Sequence, residues 1–127
     1  MNADILFFFR DRMAALPIYQ ELEEKLFAQI PDVRIKVSKT QIRFSNRFGF
    51  AYVSFLPVRK AAERPAVWLT VSFGLDCRIE APRIAAATEP YPNRWTHHVL
   101  VASAEEIDEE LMEWLTKAAA FSAAKRR

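Results

Sequence analysis

The spacing of apolar residues changes at position 33, and this change constrains the fold more than any other feature of the sequence. Before it, apolar residues recur at every third or fourth position, as in a helix with one buried face, at Tyr19, Leu22, Leu26 and Ile30. After it, apolar and polar residues alternate, first in residues 33–37 and then in several later segments. The chain therefore joins an N-terminal helix to a sheet that buries one of its faces.

The segment before the alternation predicts two helices. Residues 3–15 are rich in Ala, Leu and Phe and predict a short helix that ends near Leu16. Pro17 suits the first turn of a second helix, where a backbone N–H is not needed. Pro31 and Asp32 end that second helix.

The alternating segments predict strands with short links, which favours an antiparallel sheet over a parallel one. Strands are predicted in residues 33–38, 41–45, 48–56, 67–73 and 96–102. Prolines exclude a long regular element from residues 76–95, where residues 83–88 predict a short helix. The predicted fold is one two-layer α+β domain over residues 1–127, with an antiparallel sheet of four to five strands and with N-terminal and C-terminal helices packed on one face.

A further helix is predicted near the C-terminus. Ser103 and Glu106 match the capping box S-x-x-E, in which each side chain satisfies a free backbone amide at the start of a helix. The basic end of the chain, Lys125-Arg126-Arg127, suits the negative end of the helix dipole. An apolar stripe at helical spacing lies between them, formed by Ile107, Leu111, Trp114, Leu115, Ala118 and Phe121.

The composition excludes several classes of protein. Half of the 127 residues (51%) are apolar and 27% are charged, which is a globular balance and not a disordered one. The single cysteine, Cys77, excludes an internal disulfide and fits a reducing compartment. No apolar run approaches the ~20 residues that cross a bilayer, so the expected location is the cytoplasm and not a membrane.

Familiar catalytic, metal and cofactor motifs do not occur in the sequence. Two glycines cannot form a glycine-rich phosphate loop. His97 and His98 are neighbours on a predicted strand and point to opposite faces, so they cannot chelate one metal together. We therefore expect no catalytic residue, metal or cofactor, and an enzyme that uses His97 or His98 with an arginine is the least favoured reading.

Charge is distributed unevenly, although the net charge is only +2. Residues 33–100 carry eleven Lys or Arg against four Asp or Glu, whereas residues 1–32 have a net charge of −3 and residues 101–127 of −2. If the middle is a sheet and the flanks are helices, one surface of the sheet is positive. The alternative is a scatter of single solvated cations that need no partner.

Two short segments are candidates for binding an anionic group. Lys39 and Arg43 can grip such a group, with Thr40 adding a hydroxyl donor. Arg94 suits planar carboxylates and phosphates, and one of the two adjacent histidines shares its surface. Strand parity does not decide whether His97 or His98 is the exposed one.

A third candidate is the polar face of the predicted sheet. Trp68 is predicted to lie there among the basic residues Arg34, Lys36 and Arg43. Aromatic and basic residues together are how sheet surfaces bind single-stranded nucleic acid, but the same face suits a protein partner or an oligomer contact.

The leading hypothesis is a non-catalytic binding module for an anionic or polar partner, nucleic acid included. The alternative is a protein-interaction or oligomerisation module, and the sequence leaves the oligomeric state open.

Several short stretches also occur in a characteristic order. They are Lys39-Thr40-x-Ile42-x-Phe44, the segment 47–51, and Arg94-Trp95-Thr96-His97-His98-Val99, which continues into Glu106-Ile107-Asp108-x-Glu110-Leu111 and Trp114-Leu115. In order and spacing, from about residue 20 onward, the chain resembles the bacterial DUF5655 family of uncharacterised domains. The resemblance implies a small α+β unit and implies no established activity, cofactor or catalytic residue.

Overall fold

The computed structural model describes residues 2–125, and these contain three α-helices and six β-strands. The helices are α1 (Ala3–Phe8), α2 (Leu16–Gln29) and α3 (Glu109–Ala124). The strands are β1 (Arg34–Val37), β2 (Gln41–Ser45), β3 (Gly49–Ser54), β4 (Leu69–Leu75), β5 (Ile84–Tyr91) and β6 (Arg94–Val101). Single 3-10 turns lie at Met13–Ala15, Ala61–Glu63 and Ala104–Glu106.

The six strands form one antiparallel sheet in the order β1-β2-β3-β4-β6-β5. The predicted α+β class and antiparallel sheet are confirmed, but the predicted number of four to five strands is wrong. The additional strand is β5, which occupies the stretch where the sequence predicts a helix over residues 83–88. It forms a hairpin with β6 through a turn in which Asn93 has a φ of 64°. Pro90 is tolerated because β5 lies at an edge, where one side of the backbone needs no partner, and Pro92 lies in the turn after the strand.

The helices pack against one face of the sheet, which we call the inner face. Tyr19 of α2 stacks on Phe44 of β2 with 6.1 Å between ring centroids, and Trp114 of α3 stacks on Phe73 of β4 at 5.9 Å. Every second residue of the central strands is fully buried against these helices, including Ile42, Phe44, Val53, Val71, Phe73 and Val99. The two-layer prediction therefore agrees with the contacts, and one core holds the helices and the sheet together.

The N-terminal segment is less regular than its composition predicts. Helix α1 ends at Phe8, well before the predicted end near Leu16. The next residue, Phe9, is fully buried, and its ring lies 5.4 Å from that of Tyr19. Phe9 is the C-cap of α1, and an exposed segment connects it to the 3-10 turn at Met13–Ala15.

Helix α3 begins later than the predicted capping box. Ser103 makes no capping hydrogen bond with its side chain, and residues Ala104–Glu106 form a 3-10 turn instead. The N-cap is Asp108, whose carboxylate accepts the backbone N–H of Leu111 at 3.0 Å and an N–H of Arg83 at 2.7 Å. The basic end was predicted at Lys125-Arg126-Arg127. Lys125 is the C-cap of α3, and Arg126 and Arg127 lie outside the described residues.

Removing the Asp108 carboxylate is expected to destabilise the domain. Burial opposes its ionisation, but the Leu111 amide and the Arg83 guanidinium hold the pKa of the Asp108 carboxyl below its usual value. Asp108→Ala is expected to lower the free energy of unfolding by about 1–2 kcal/mol at pH 7, the range for the loss of an N-cap, as measured by urea denaturation. The contribution of this cap is present above about pH 4 and is lost as the pH falls through the lowered pKa.

Ser103→Ala is the matched control for that experiment. It removes the side chain that the capping box predicts to be important and is expected to change the free energy of unfolding by less than about 0.5 kcal/mol. An equal or larger effect of Ser103→Ala would contradict the assignment of Asp108 as the cap.

Candidate functional site

The face of the sheet that the helices leave uncovered, the open face, is positive. Strand register places on it alternate residues of every strand, and four of these are cations, Arg34, Lys36, Arg43 and Arg94. The other residues that the register places there are neutral: Gln41, Ser45, Gly49, Tyr52, Ser54, Thr70, Ser72, Gly74, Ala86, Thr88, Tyr91, Thr96, His98 and Leu100. The predicted positive surface is therefore present, since no acidic strand residue in these registers offsets its charge.

Two of these cations face each other directly. Lys36 of β1 and Arg43 of β2 are cross-strand partners on the open face. Like charges in directly opposed positions of an antiparallel pair are destabilising, because their side chains are close neighbours. Within residues 2–125 neither side chain has an ion pair with a carboxylate. Arg43 therefore has the capacity to accept an external anion.

Arg43 and Tyr52 converge on the first glycine of the chain. They are cross-strand partners, and Gly49, the partner of Ser45, lies directly beside the bulge that shifts the register of β2 and β3. A Cβ built on Gly49 would collide with the Tyr52 hydroxyl and would lie 2.5 Å from Nε of Arg43. The missing side chain thus lets a guanidinium and a phenol approach the backbone of β3 closely.

Arg94 covers the second glycine in the same way. A Cβ on Gly74 would lie 2.5 Å from Nε, 2.5 Å from Nη2 and 2.6 Å from Cζ of Arg94. Nε of Arg94 is buried and, among residues 2–125, has no hydrogen-bond partner. Since Gly49 and Gly74 lie on the neighbouring strands β3 and β4, the two guanidiniums extend toward each other from β2 and β6.

Lys125 brings a third cation from the end of α3 to Arg94. Burial first, and then the charge of Arg94, lower the pKa of the Lys125 ammonium, against a raising effect of the Tyr91 hydroxyl. Its Nζ lies 5.1 Å from the ring centroid of Phe121 and 5.8 Å from that of Phe48. Lys125 and Arg94 are therefore like charges held beside each other in a partly dehydrated place.

The position of Lys125 is fixed by contacts between α3 and the β2–β3 turn. The amide of Asn46 donates to the carbonyl of Ala119 at 2.8 Å, and the backbone N–H of Phe48 donates to Oγ of Ser122 at 3.1 Å. Ser122 is buried. These bonds connect the last turns of the helix to the strand end that carries Gly49. We call Arg43, Tyr52, Arg94 and Lys125 the arginine site.

The two predicted histidines have different surroundings. His97 lies on the inner face, is fully buried, and stacks on Phe73 with 5.0 Å between centroids. Its Nε2 accepts the backbone N–H of Ile79 at 2.9 Å, and burial lowers the pKa of the ring. The ring is therefore neutral at pH 7, and its buried Nδ1 has no hydrogen-bond partner among residues 2–125.

His98 is the histidine on the open face. Its Nδ1 and Oγ of Ser72 share a hydrogen bond of 2.6 Å, and burial lowers the pKa of this ring as well. Ser72 lies between His98 and Tyr52 in one row of cross-strand partners. This row connects His98 to Arg43, so the structure brings His98, Arg43 and Arg94 to one surface.

Lys39 and Thr40 lie at the other end of the open face. They line a cleft of about 500 Å³ beside α1, which we call the α1 cleft, together with Phe8, Arg10, Asp11, Arg12, Gln41, Ser54, Phe55 and Leu56. Both residues belong to the turn between β1 and β2, whereas Arg43 is in the middle of β2. The predicted group of Lys39, Thr40 and Arg43 is thus divided between the α1 cleft and the arginine site.

Trp68 contacts residues other than the predicted ones. Its ring packs edge-on against Phe55 with 6.1 Å between centroids. The guanidiniums of Arg12 and Arg64 lie 5.4 and 5.5 Å from its centroid. Aromatic and basic side chains therefore alternate around Trp68, but the basic partners come from the segment after α1 and from the β3–β4 connection and are not the predicted Arg34, Lys36 and Arg43.

Several residues of the arginine site are absent from the predictions. Tyr52 and both glycines carry a signal in the sequence, because a glycine inside a strand often marks a close approach to the backbone. Lys125 carries none, since only the packing of α3 brings it to the sheet. The described residues contain no cluster of His, Cys, Asp and Glu that could hold a metal ion, and none of their helices is long and apolar enough to cross a bilayer.

Titration of His97 and His98 tests the described surroundings of the two rings without a ligand. Both rings are expected to titrate below about 6.5, the unperturbed value, in NMR spectra of their C–H resonances. The unfolded chain then binds protons that the native chain does not, so the free energy of unfolding is expected to decrease as the pH falls below about 6.5. A pKa of His98 at or above the unperturbed value would contradict its partly buried contact with Ser72.

Comparison with curated proteins and with solved structures finds no match to this chain. The sequence model of a family described as a domain of unknown function, DUF5655, matches residues 7–122. The match begins earlier than the resemblance read from the motifs and includes α2, all six strands and most of α3. The chain therefore belongs to the DUF5655 family.

Proposed function

We propose that this domain is a non-catalytic binding module for an anionic partner, and that the arginine site holds the anionic group. The observation that carries the proposal is Nε of Arg94, which is buried without an acceptor while the charge of Lys125 lies beside it. A buried donor without an acceptor and two adjacent like charges are both unfavourable. A bound anion would relieve both of them at once.

The geometry favours an oxyanion such as a phosphate or a carboxylate. A guanidinium offers several N–H donors in a planar fork that matches two oxygens of one group, whereas an ammonium acts as a point charge. Arg43 and Arg94 supply forks from opposite sides, and the Tyr52 hydroxyl adds a neutral donor. Neither guanidinium has an ion pair with a carboxylate of residues 2–125, so an external oxygen meets no competing acceptor in these contacts.

The surroundings of the histidines support binding over catalysis. His97 is in the core and uses Nε2 for a structural hydrogen bond. His98 and Ser72 share a hydrogen bond, but no described carboxylate bonds to the ring to orient it as the third member of a triad would. We also propose a cytoplasmic location, because the lone and exposed Cys77 fits a reducing compartment.

Inorganic phosphate is the simplest probe of the proposed site. Added phosphate is expected to raise the melting temperature of the native chain and to shift the side-chain Nε–H resonance of Arg94 in NMR spectra, because ligand binding stabilises the folded state. Arg94→Gln is expected to abolish both effects. The matched control is Lys117→Gln, which removes one charge from the exposed face of α3, where Lys117 is paired with Glu113 at 3.2 Å. Equal loss of phosphate binding in the two variants would contradict the proposal.

A substitution of Gly74 tests the site without removing a charge. In Gly74→Ala the new Cβ would occupy the place of the Arg94 guanidinium, so that side chain must move away. Because the displaced group is the far end of a flexible side chain, the free energy of unfolding is expected to change by less than about 1 kcal/mol. Phosphate binding is expected to weaken at least about tenfold, since the bidentate geometry is lost. Unchanged phosphate affinity in a folded Gly74→Ala protein would contradict the role of Arg94.

A further inference from the structure

We infer that the anionic partner is a single-stranded nucleic acid, which extends from the arginine site along β2 and β3 into the α1 cleft. The inference rests on the proposed function, since it assigns one phosphate of the strand to the arginine site. Beyond the proposed function, it specifies the path of the ligand over the protein, a second region that contacts the ligand, and the chemical class of the ligand.

The arginine site and the α1 cleft are joined by one pair of strand residues. Gln41 and Ser54 are cross-strand partners on the open face, and both line the α1 cleft. The next pair on the same two strands and the same face is Arg43 and Tyr52. Two residues along a strand span about 7 Å, so the surface continues from one region to the other without a gap in the backbone.

The part of the open face formed by β4 and β5 is less accessible near the α1 cleft. Thr70 of β4 is fully buried, and its hydroxyl donates to the carbonyl of Leu56 at 2.8 Å. Further along the same connection, Arg59 donates to the carbonyl of Pro82 at 3.3 Å, just before β5. The β3–β4 connection thus lies against the ends of β4 and β5. An extended ligand would follow β2 and β3.

Basic side chains continue past the strands. The α1 cleft contains Arg10, Arg12 and Lys39, with Asp11 as its single acidic residue. A neighbouring cleft of about 440 Å³ shares Asp11 and Arg12 and adds Arg64 and Trp68. A linear polyanion could therefore meet cations over its whole path, whereas a compact anion would use the arginine site alone.

The guanidiniums in this region lie on aromatic rings. Cζ of Arg12 is 4.4 Å from the ring centroid of Phe55, and Cζ of Arg10 is 4.0 Å from that of Phe7. Both arginines are exposed, so the side of each guanidinium that faces away from its ring is open to a ligand. Nucleobases stack on guanidinium planes and on aromatic rings, and unpaired strands are the nucleic acids whose bases are free to do so. The side chains of a run of acidic residues carry no aromatic ring to stack on these surfaces, which favours the nucleic acid.

The test measures binding of fluorescent oligodeoxythymidylates of increasing length between about 50 and 200 mM salt, where phosphate-driven binding changes most. Affinity is expected to increase with length until a site of about 4–8 nucleotides is filled, in the range of other small single-strand-binding domains. Arg12→Gln and Arg64→Gln are each expected to weaken binding of the longer strands and to reduce the slope of log K against log salt by about 0.7. Both variants are expected to bind inorganic phosphate as the native protein does.

Control measurements separate this inference from the proposed function. Lys117→Gln is expected to leave oligonucleotide binding unchanged. Phosphate binding that depends on Arg94, together with no gain in affinity for longer strands, would overturn the inference and leave the proposed function standing. Loss of both the phosphate and the oligonucleotide effects would overturn both. Binding of polyglutamate to the same arginines as tightly as the oligonucleotide would overturn the nucleic acid in favour of an acidic protein.

Discussion

The rings of Tyr19 and Trp114, carried by two different helices, lie on Phe44 and Phe73 of the sheet, and this packing decides which side chains reach solvent. In a strand, successive side chains point to opposite faces. Because Phe44 packs against the helices, its neighbour Arg43 must point away from them. The position of the core and the alternation of side chains along the strands are thus sufficient to make the open face positive.

The open face brings its cations together because its small residues let them lie flat. Both glycines of the chain are on this face, each beneath a guanidinium, and Ser72 occupies the row between Tyr52 and His98. Larger residues at these positions would lift the guanidiniums away from the backbone and into water. There they would be fully hydrated, and an anion would gain less from contacting them, because screening weakens exposed charge pairs.

Local patterns predict much of this fold, and the failures have physical causes. The α2 helix and the strands β1 to β4 and β6 follow from the spacing of apolar residues, because each buries one face. Strand β5 is missed because edge strands tolerate prolines that would disrupt a central strand. The capping box at Ser103 is a valid local signal, but Arg83, a residue distant in sequence, stabilises a start at Asp108.

The candidate site likewise depends partly on local sequence pattern and partly on contacts between residues distant in sequence. Alternation along β2 predicts the polar face for Arg43, but it does not predict the face of Arg94, because parity leaves open which of His97 and His98 is exposed. The order of strands decides that they approach each other, since β2 and β6 flank the pair β3 and β4. Lys39, although close in sequence to Arg43, lies in the turn before β2 and lines the α1 cleft. Lys125 reaches the site only because Ser122 and Asn46 fix the end of α3.

The acidic residues complete this electrostatic arrangement. Six of the sixteen acidic residues lie on α2 and α3, where Glu21 pairs with Lys25 and Glu113 with Lys117 at the i,i+4 spacing of a helix. The sheet lies between these carboxylates and the open face, and it keeps them from neutralising Arg43 and Arg94. A molecule with a net charge of only +2 can therefore attract a polyanion to one side and repel it from the other. Such a field would orient the proposed anionic partner before contact, and the first oxygens to arrive would relieve the unfavourable proximity of Arg94 and Lys125.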